Sequence, residues 1–359
     1  MARQLASIQK ILTISPIEKA DTLELATVLG WQCVVKKGEF APGDLVVYFE
    51  VDSFLPIHQE FEFLRKNCYK NHPEIGEGFR LRTIRLRGQI SQGLVLPLRI
   101  LESFMSPDEI INDITEGTDV TDIIGVRLYA PPVPACLKGE VKGGFPSFMP
   151  KTDETRVQVL QKVLTRYEGT QCYVTEKIDG TSVSYYLRNE MFGVCSRNLE
   201  LKETDNAYWQ VAKRYDIESK MRKYADENQL KNFAIQGEIY GLGLQGNSLK
   251  LSELRVAFFN VFDIDKYKYL EFYAFKTLLA TLGLETVPIL EEDFILIDDI
   301  PALLKKAEGT SKITPTLQRE GIVIRPIDEK LDLEMSQGMS NARVSFKAVS
   351  QEYLLTHDD

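Results

Sequence analysis

The sequence predicts an α+β protein of two domains: an OB-type β-barrel over residues 1–128, a linker over 129–150, and an α+β domain over 151–359. Three observations carry this. The first third of the chain strings short β-prone runs between glycine-rich turns, which suits a small barrel. A Pro- and Gly-rich stretch, "YAPPVPACLKGEVKGGFPSFMPKTD", then breaks the pattern at 129–153. Beyond it, helical spacings alternate with apolar strands, and 359 residues exceed what one ordinary core organises.

Each element follows in order. "WQCVVKKGEFAPGDLVVYFEVDSFLP" supplies a run, a turn at Lys37-Gly38, a second turn at "APGD" and a strongly β-prone run. "YKNHPEIGEG" reads as a loop. In "FRLRTIRLRGQISQGLVLPL" the apolar phase shifts between Leu81 and Ile84, which predicts a bend near Thr83. After the linker, a helix starts near Thr152 or Asp153, places Val157, Leu160, Val163 and Leu164 on one face, and ends at Gly169. "CYVTEKI" and "TSVSYYL" then form a hairpin over 172–187, with Asp179-Gly180 as its turn. A strand "MFGVCSRN", a helix near 206–226, strands "FAIQGEIYG" and "LRVAFFNVFDI", a helix near 271–283, and strands "EGIVIRP" and "ARVSFKAVS" complete the chain.

Composition narrows the chemistry. No apolar run reaches membrane-spanning length, and "MARQLASIQKILTISP" lacks a signal peptide's apolar centre, so an intracellular soluble protein is expected, cytoplasmic or nuclear. Five scattered cysteines without a CxxC pair argue against a disulfide framework and a zinc site. With three histidines, catalysis must lean on Lys, Arg, Asp and Glu. Net charge is −9, yet between Arg65 and Arg99 eight Lys or Arg face two acidic residues, Glu74 and Glu77. That basic band suits a phosphate backbone, and Arg80, Arg82, Arg85 and Arg87 are its candidate nucleic-acid contacts.

Within the second domain, "EKIDG" sets Lys177 before Asp179-Gly180, and five further motifs follow in order. "SRN" carries Arg197, "QGEIYG" Glu238, "FFNVFDI" Phe262, "REGIVIRP" Glu320, and "SFKAVS" ends the series with Lys347. Singly, each residue has an ordinary structural explanation. In this order they resemble the covalent nucleotidyltransferases, the polynucleotide ligases and capping enzymes. More closely, the chain resembles the ATP-dependent RNA ligases of the Deinococcus and Naegleria type, which carry an OB domain ahead of a ligase adenylation domain.

The resemblance implies roles. Lys177 is the nucleophile that takes AMP from ATP as a phosphoramidate, and a lysine in that role needs its pKa lowered by nearby cations or desolvation. Glu176, Ile178, Asp179 and Gly180 complete its nucleotide-binding motif, Gly180 by supplying a tight turn. Arg197 binds phosphate, Arg156 phosphate or RNA, Glu238 the ribose hydroxyls, and Phe262 stacks on adenine. Glu320, with Glu238 and Asp179, holds Mg2+ or Mn2+. Lys347 stabilises charge on the α-phosphate. One departure stands out: the family often carries Lys-x-Lys in the last motif, whereas here Ser345 precedes Lys347 at that spacing, leaving one lysine sufficient or Arg343 as the substitute. The candidate barrel lies at the N-terminus and the chain ends shortly after Lys347, which favours the RNA-ligase branch over DNA ligases and guanylyltransferases. The expected partner is a nicked duplex with RNA on the 3′-hydroxyl side, RNA alone or paired with DNA, sealed by a monomer. The alternatives are a catalytically silent OB-fold nucleic-acid-binding protein and an RNA guanylyltransferase.

Overall fold

In a computed structural model that describes residues 4–18, 20–129, 139–337 and 342–357, the chain divides into two compact units that part near residue 132. In the first unit Ala6–Pro16 (β1), Leu23–Val28 (β2), Trp31–Lys36 (β3), Leu45–Phe49 (β4) and Leu94–Pro97 (β10) form an antiparallel sheet in the order β10-β4-β1-β2-β3. Ser53–Pro56 (β5), Tyr69–His72 (β6), Gly76–Arg80 (β7) and Arg127–Leu128 (β11) form a second, ordered β11-β5-β7-β6. Ile8, Val47, Phe49, Leu55, Phe61 and Phe79 bury a shared core, the OB-type barrel that short alternating runs predict.

The bend expected near Thr83 is present. β7 ends at Arg80, and Leu81 is buried while Ile84 and Leu86 are exposed, so the phase shift marks a change of sheet. Ile84–Leu86 (β8) and Gln89–Ser91 (β9) form a separate two-stranded hairpin. Its central residues, Arg87 at φ 50° and Gly88 at φ 84°, both lie in the left-handed region that a two-residue type I′ turn requires.

The second unit holds two larger sheets. Thr155–Arg156 (β13), Gln171–Lys177 (β14), Ile289–Ile295 (β21), Gly321–Pro326 (β22) and Phe346–Val349 (β23) run in the order β13-β23-β22-β14-β21. Val141–Gly144 (β12), Thr181–Arg188 (β15), Met191–Cys195 (β16), Leu199–Leu201 (β17), Phe233–Gly241 (β18), Leu254–Asp263 (β19) and Lys268–Tyr269 (β20) run β12-β17-β16-β15-β18-β19-β20. Helices Gln161–Tyr167 and Ile300–Ala307 bury Leu164 and Leu303 against Ile322, Ile324 and Phe346 of the five-stranded sheet. Ala207–Arg214, Ile217–Glu227 and Phe272–Leu282 cover the seven-stranded one.

Four expectations change. The hairpin over 172–187 does not form. β14 pairs with β21 and β22, β15 pairs with β16 and β18, and Asp179-Gly180 is where the chain leaves one sheet for the other. Alternation identified both strands correctly, but it carries no information about which neighbour each strand finds. The helix expected from Thr152 begins at Gln161, because Thr155 and Arg156 pair in parallel with Phe346 and Lys347, and a 3-10 turn follows at Val157–Val159. Its four apolar residues are buried as predicted. The helix near 206–226 is two helices, broken where Asp216 takes φ 50°. Of the linker at 129–150, residues 130–138 lie outside the described residues, and Val141–Gly144 is the edge strand of the seven-stranded sheet.

Candidate active site

Lys177 is the last residue of β14 and lies opposite Gly321, the first of β22. That register sets Glu320 beside it, and the Lys177 Nζ lies 2.5 Å from Glu320 Oε1. Lys347 sits on β23 opposite Val323, with Arg156 across from it on β13. The other sheet contributes Glu238 from β18, opposite Ser182, whose hydroxyl donates to Glu238 Oε2 at 3.4 Å and contacts Thr152 Oγ1 at 2.6 Å. Asp179 lies between the sheets in sequence, and its Oδ2 accepts from the Tyr353 hydroxyl at 2.6 Å. Five sequence-predicted residues (Lys177, Asp179, Glu238, Glu320 and Lys347) thus interact electrostatically within one cluster drawn from two sheets.

Gly180 serves this junction differently from the expected turn. A Cβ there would meet Ile239 O at 2.3 Å and Glu238 Cγ at 3.0 Å, so the absent side chain permits β18's backbone to close against the Lys177 segment. Glu176 is buried and points elsewhere, its Oε2 accepting the Lys312 amide at 2.7 Å, while Ile178 packs with Tyr240, Leu249, Ala257 and Val287.

Burial and mutual charge set the protonation states. Burial works against the Lys177 ammonium, yet Glu320, Glu238 and Asp179 outweigh it and hold the group above its ordinary pKa. Burial pushes Glu238 up to about 8, with Lys177 acting in the opposite direction. Burial likewise raises Glu320. Lys347 is brought down to about 7, first by burial and then by the cations Arg156 and Lys177. The cluster therefore rests with a charged Lys177 and a neighbouring lysine close to neutrality at physiological pH.

Among the described residues no group of three or more His, Cys, Asp or Glu is already gathered to hold a metal ion. Glu238 and Asp179 are engaged by Ser182 and Tyr353. Glu320 does fit a divalent cation, because its buried Oε2 has no hydrogen-bond partner. Mg2+ commonly takes one or two carboxylates and completes its shell with water and substrate phosphates.

Several predicted residues stand apart. Arg197 is half-exposed and pairs with Asp153 at 2.5 Å, whose charge in turn acts on Lys347. Phe262 is fully buried among Met149, Tyr186, Cys195, Ala234, Ile264 and Tyr269, with edge contacts from Tyr267 and Tyr269, so it offers no open face to a base in this arrangement. Three residues earlier, the partly exposed Phe259 lies beside Arg325 at 5.7 Å. Arg343 is not free to replace a second lysine: its guanidinium is clamped by Glu329 and donates to Asn260 Oδ1 at 2.7 Å. The cation beside Ser345 is Arg325, which donates to Ser345 Oγ at 2.8 Å and to Glu154 Oε1 at 2.8 Å. A lone arginine inside the apolar run "GIVIRP" was the available signal for it; Tyr353 in "QEYLLT" gave none.

In the first unit, Arg80 leaves the basic band. It is buried, its guanidinium 4.5 Å from the Tyr129 ring centroid. Arg82, Arg85 and Arg87 are exposed, the last two on the β8–β9 hairpin with the half-exposed Ile84 and Leu86. The described cysteines are free thiols, and no helix among the described residues is long and apolar enough to cross a membrane.

Comparison with known proteins agrees with both halves. An OB-fold domain family matches residues 5–98, and the RNA ligase family matches residues 170–349. No curated protein matches. Among solved structures, Naegleria gruberi RNA ligase with PPi is 38% identical, covering 99% of each chain with a TM-score of 0.85. A lysine-to-alanine mutant of that enzyme with ATP and Mn is similar at 37% identity, 99% coverage of each chain and TM-score 0.85. A glutamate-to-alanine mutant with AMP and Mn gives 37% identity, the same coverage and TM-score 0.86. With its motifs, its two units and full-length likeness in agreement, the chain belongs to the RNA ligase family, in its Naegleria type.

Proposed function

We propose that this ATP-dependent RNA ligase joins 3′-hydroxyl and 5′-phosphate ends at nicks in a duplex with RNA on the 3′-hydroxyl side, through AMP carried on Lys177. The observation that supports this most directly is the Lys177–Glu320 pair at 2.5 Å, set at a sheet junction with Glu238 and Lys347 around it. The ATP- and AMP-bound states of the Naegleria enzyme support the choice of nucleotide.

In the first step the Lys177 amine attacks the α-phosphorus of ATP, a P–N bond forms, and the bond to pyrophosphate breaks. The resting lysine is charged, so it must lose its proton before attack. Glu320 would hold Mg2+ or Mn2+, which supplies positive charge against the α-phosphate. Arg156 offers a cationic group for the phosphate oxygens, and Lys347, adjacent to it across β13 and β23, becomes one when the negative charge of the bound nucleotide draws a proton onto it. Glu238 accepts from the ribose hydroxyls, and Arg197 binds phosphate. In the second step an oxygen of the RNA 5′-phosphate attacks the AMP phosphorus and Lys177 leaves with a proton. In the third, the 3′-hydroxyl attacks the activated 5′-phosphate, loses its proton, and AMP departs. The exposed arginines of the OB unit, Arg82, Arg85 and Arg87, contact the nucleic-acid backbone.

Incubation with α-phosphate-labelled ATP or GTP and magnesium, without RNA, tests the reading. Label from ATP that survives denaturation and vanishes in Lys177→Ala is the expected result. Label from GTP alone would indicate capping chemistry. No label from either, in protein shown to be free of prior adenylate, would leave a nucleic-acid-binding protein.

A further inference from the structure

The final helix, Gln351–His357, is joined to the candidate site through its first turn. The Ser350 amide donates to Glu320 O at 2.8 Å, and the Ser350 hydroxyl donates to Glu308 Oε2 at 2.6 Å while accepting the Tyr353 amide at 3.0 Å. Within the same turn, the Tyr353 hydroxyl donates to Asp179 Oδ2 at 2.6 Å. The Ser248 side chain engages that hydroxyl as well. Tyr353 is 6% exposed.

A buried tyrosine hydroxyl needs a partner, and a carbonyl would serve. Here the partner is the carboxylate two residues beyond Lys177, and the segment that supplies the tyrosine also holds the backbone of Glu320. Both residues that flank the Lys177 amine are therefore referenced to one helical turn. Asp179 acts on Lys177 through its charge, and so does Glu320, which alone makes the hydrogen bond. The Asp179 carboxylate is instead bound by the Tyr353 hydroxyl. Released from the phenol, that carboxylate can turn toward the amine and compete with Glu320 for it.

We propose that Tyr353 is a positioning residue for adenylation: by holding the Asp179 carboxylate to the C-terminal helix, it keeps the Lys177 amine directed along Glu320. The inference rests on Lys177 being the adenylated residue. Its test is single-turnover formation of the lysyl-AMP adduct from labelled ATP and magnesium by wild type, Tyr353→Phe, Asp179→Ala and the double variant. Loss of one hydrogen bond to a charged group corresponds to about a tenfold effect. Tyr353→Phe is expected to slow the rate at saturating ATP by about that factor, with the KM for ATP and the melting temperature little changed. In the Asp179→Ala background the same substitution is expected to have almost no effect, because its partner is gone. Equal losses in both backgrounds, a loss that tracks unfolding, or a wild-type rate in Tyr353→Phe would each overturn the positioning role. Absence of any adduct in the wild type would instead overturn the reading on which it rests.

Discussion

Glu238 illustrates how placement changes a side chain's chemistry. As an exposed strand carboxylate it would be ionised well below neutrality; at the junction of two sheets, burial carries it to about 8. Because the folded pKa exceeds the unfolded one, the native state binds the extra proton across that interval, and stability falls as pH rises from about 4.5 toward 8. Glu238→Gln removes this loss. Its melting temperature should match wild type near pH 5 and exceed it at pH 8, by roughly 2–4 °C for about 1 kcal/mol, while adenylation drops. A thermal-shift series across that range checks it, and a difference that shrinks with pH would contradict the buried, protonated carboxylate. Arg325 makes the complementary point. Fully buried, it is made tolerable by the hydrogen bonds that Glu154 and Ser345 accept.

At the scale of elements, the crossover from β14 to β15 matters more than either strand. A hairpin would have put Lys177 opposite Ser182 in one ladder; the crossover puts it at a seam where groups from both sheets converge. The seam depends on Gly180. Gly180→Ala would drive a methyl to 2.3 Å from Ile239 O, a contact that only a backbone shift relieves. Overpacking of this kind costs about 1–3 kcal/mol, and the same shift moves Glu238 relative to Lys177. The expected outcome is a lowered melting temperature together with at least tenfold slower adenylation, read by calorimetry and by adduct formation. A variant with wild-type rate would show that the close approach is dispensable.

For the whole molecule, charge is divided rather than uniform. An overall charge of −9 coexists with an arginine-bearing hairpin on the OB unit, where Arg85 and Arg87 are exposed. If these two contact backbone phosphates, Arg85→Ala with Arg87→Ala should weaken binding to nicked duplexes of any sequence. It should also reduce the slope of log affinity against log salt by about 2. Titration at several salt concentrations decides this, and an unchanged slope would move the grip elsewhere.

The sequence by itself determined the strands that carry the motifs, the apolar faces of the helices, the bend near Thr83, and the ordered series from Lys177 to Lys347. These are local properties: period, turn chemistry and spacing are written along the chain. Only the tertiary structure decided that Asp179-Gly180 joins two sheets and that Phe262 is sealed in a core. It also decided that Arg80 lies against Tyr129, that Arg343 is taken by Glu329, and that a C-terminal tyrosine reaches Asp179. Pairing between strands, and the partner a buried charge finds, depend on residues far away in sequence. No local pattern encodes them, because the energy that selects them arises only when distant backbone and polar groups leave water together.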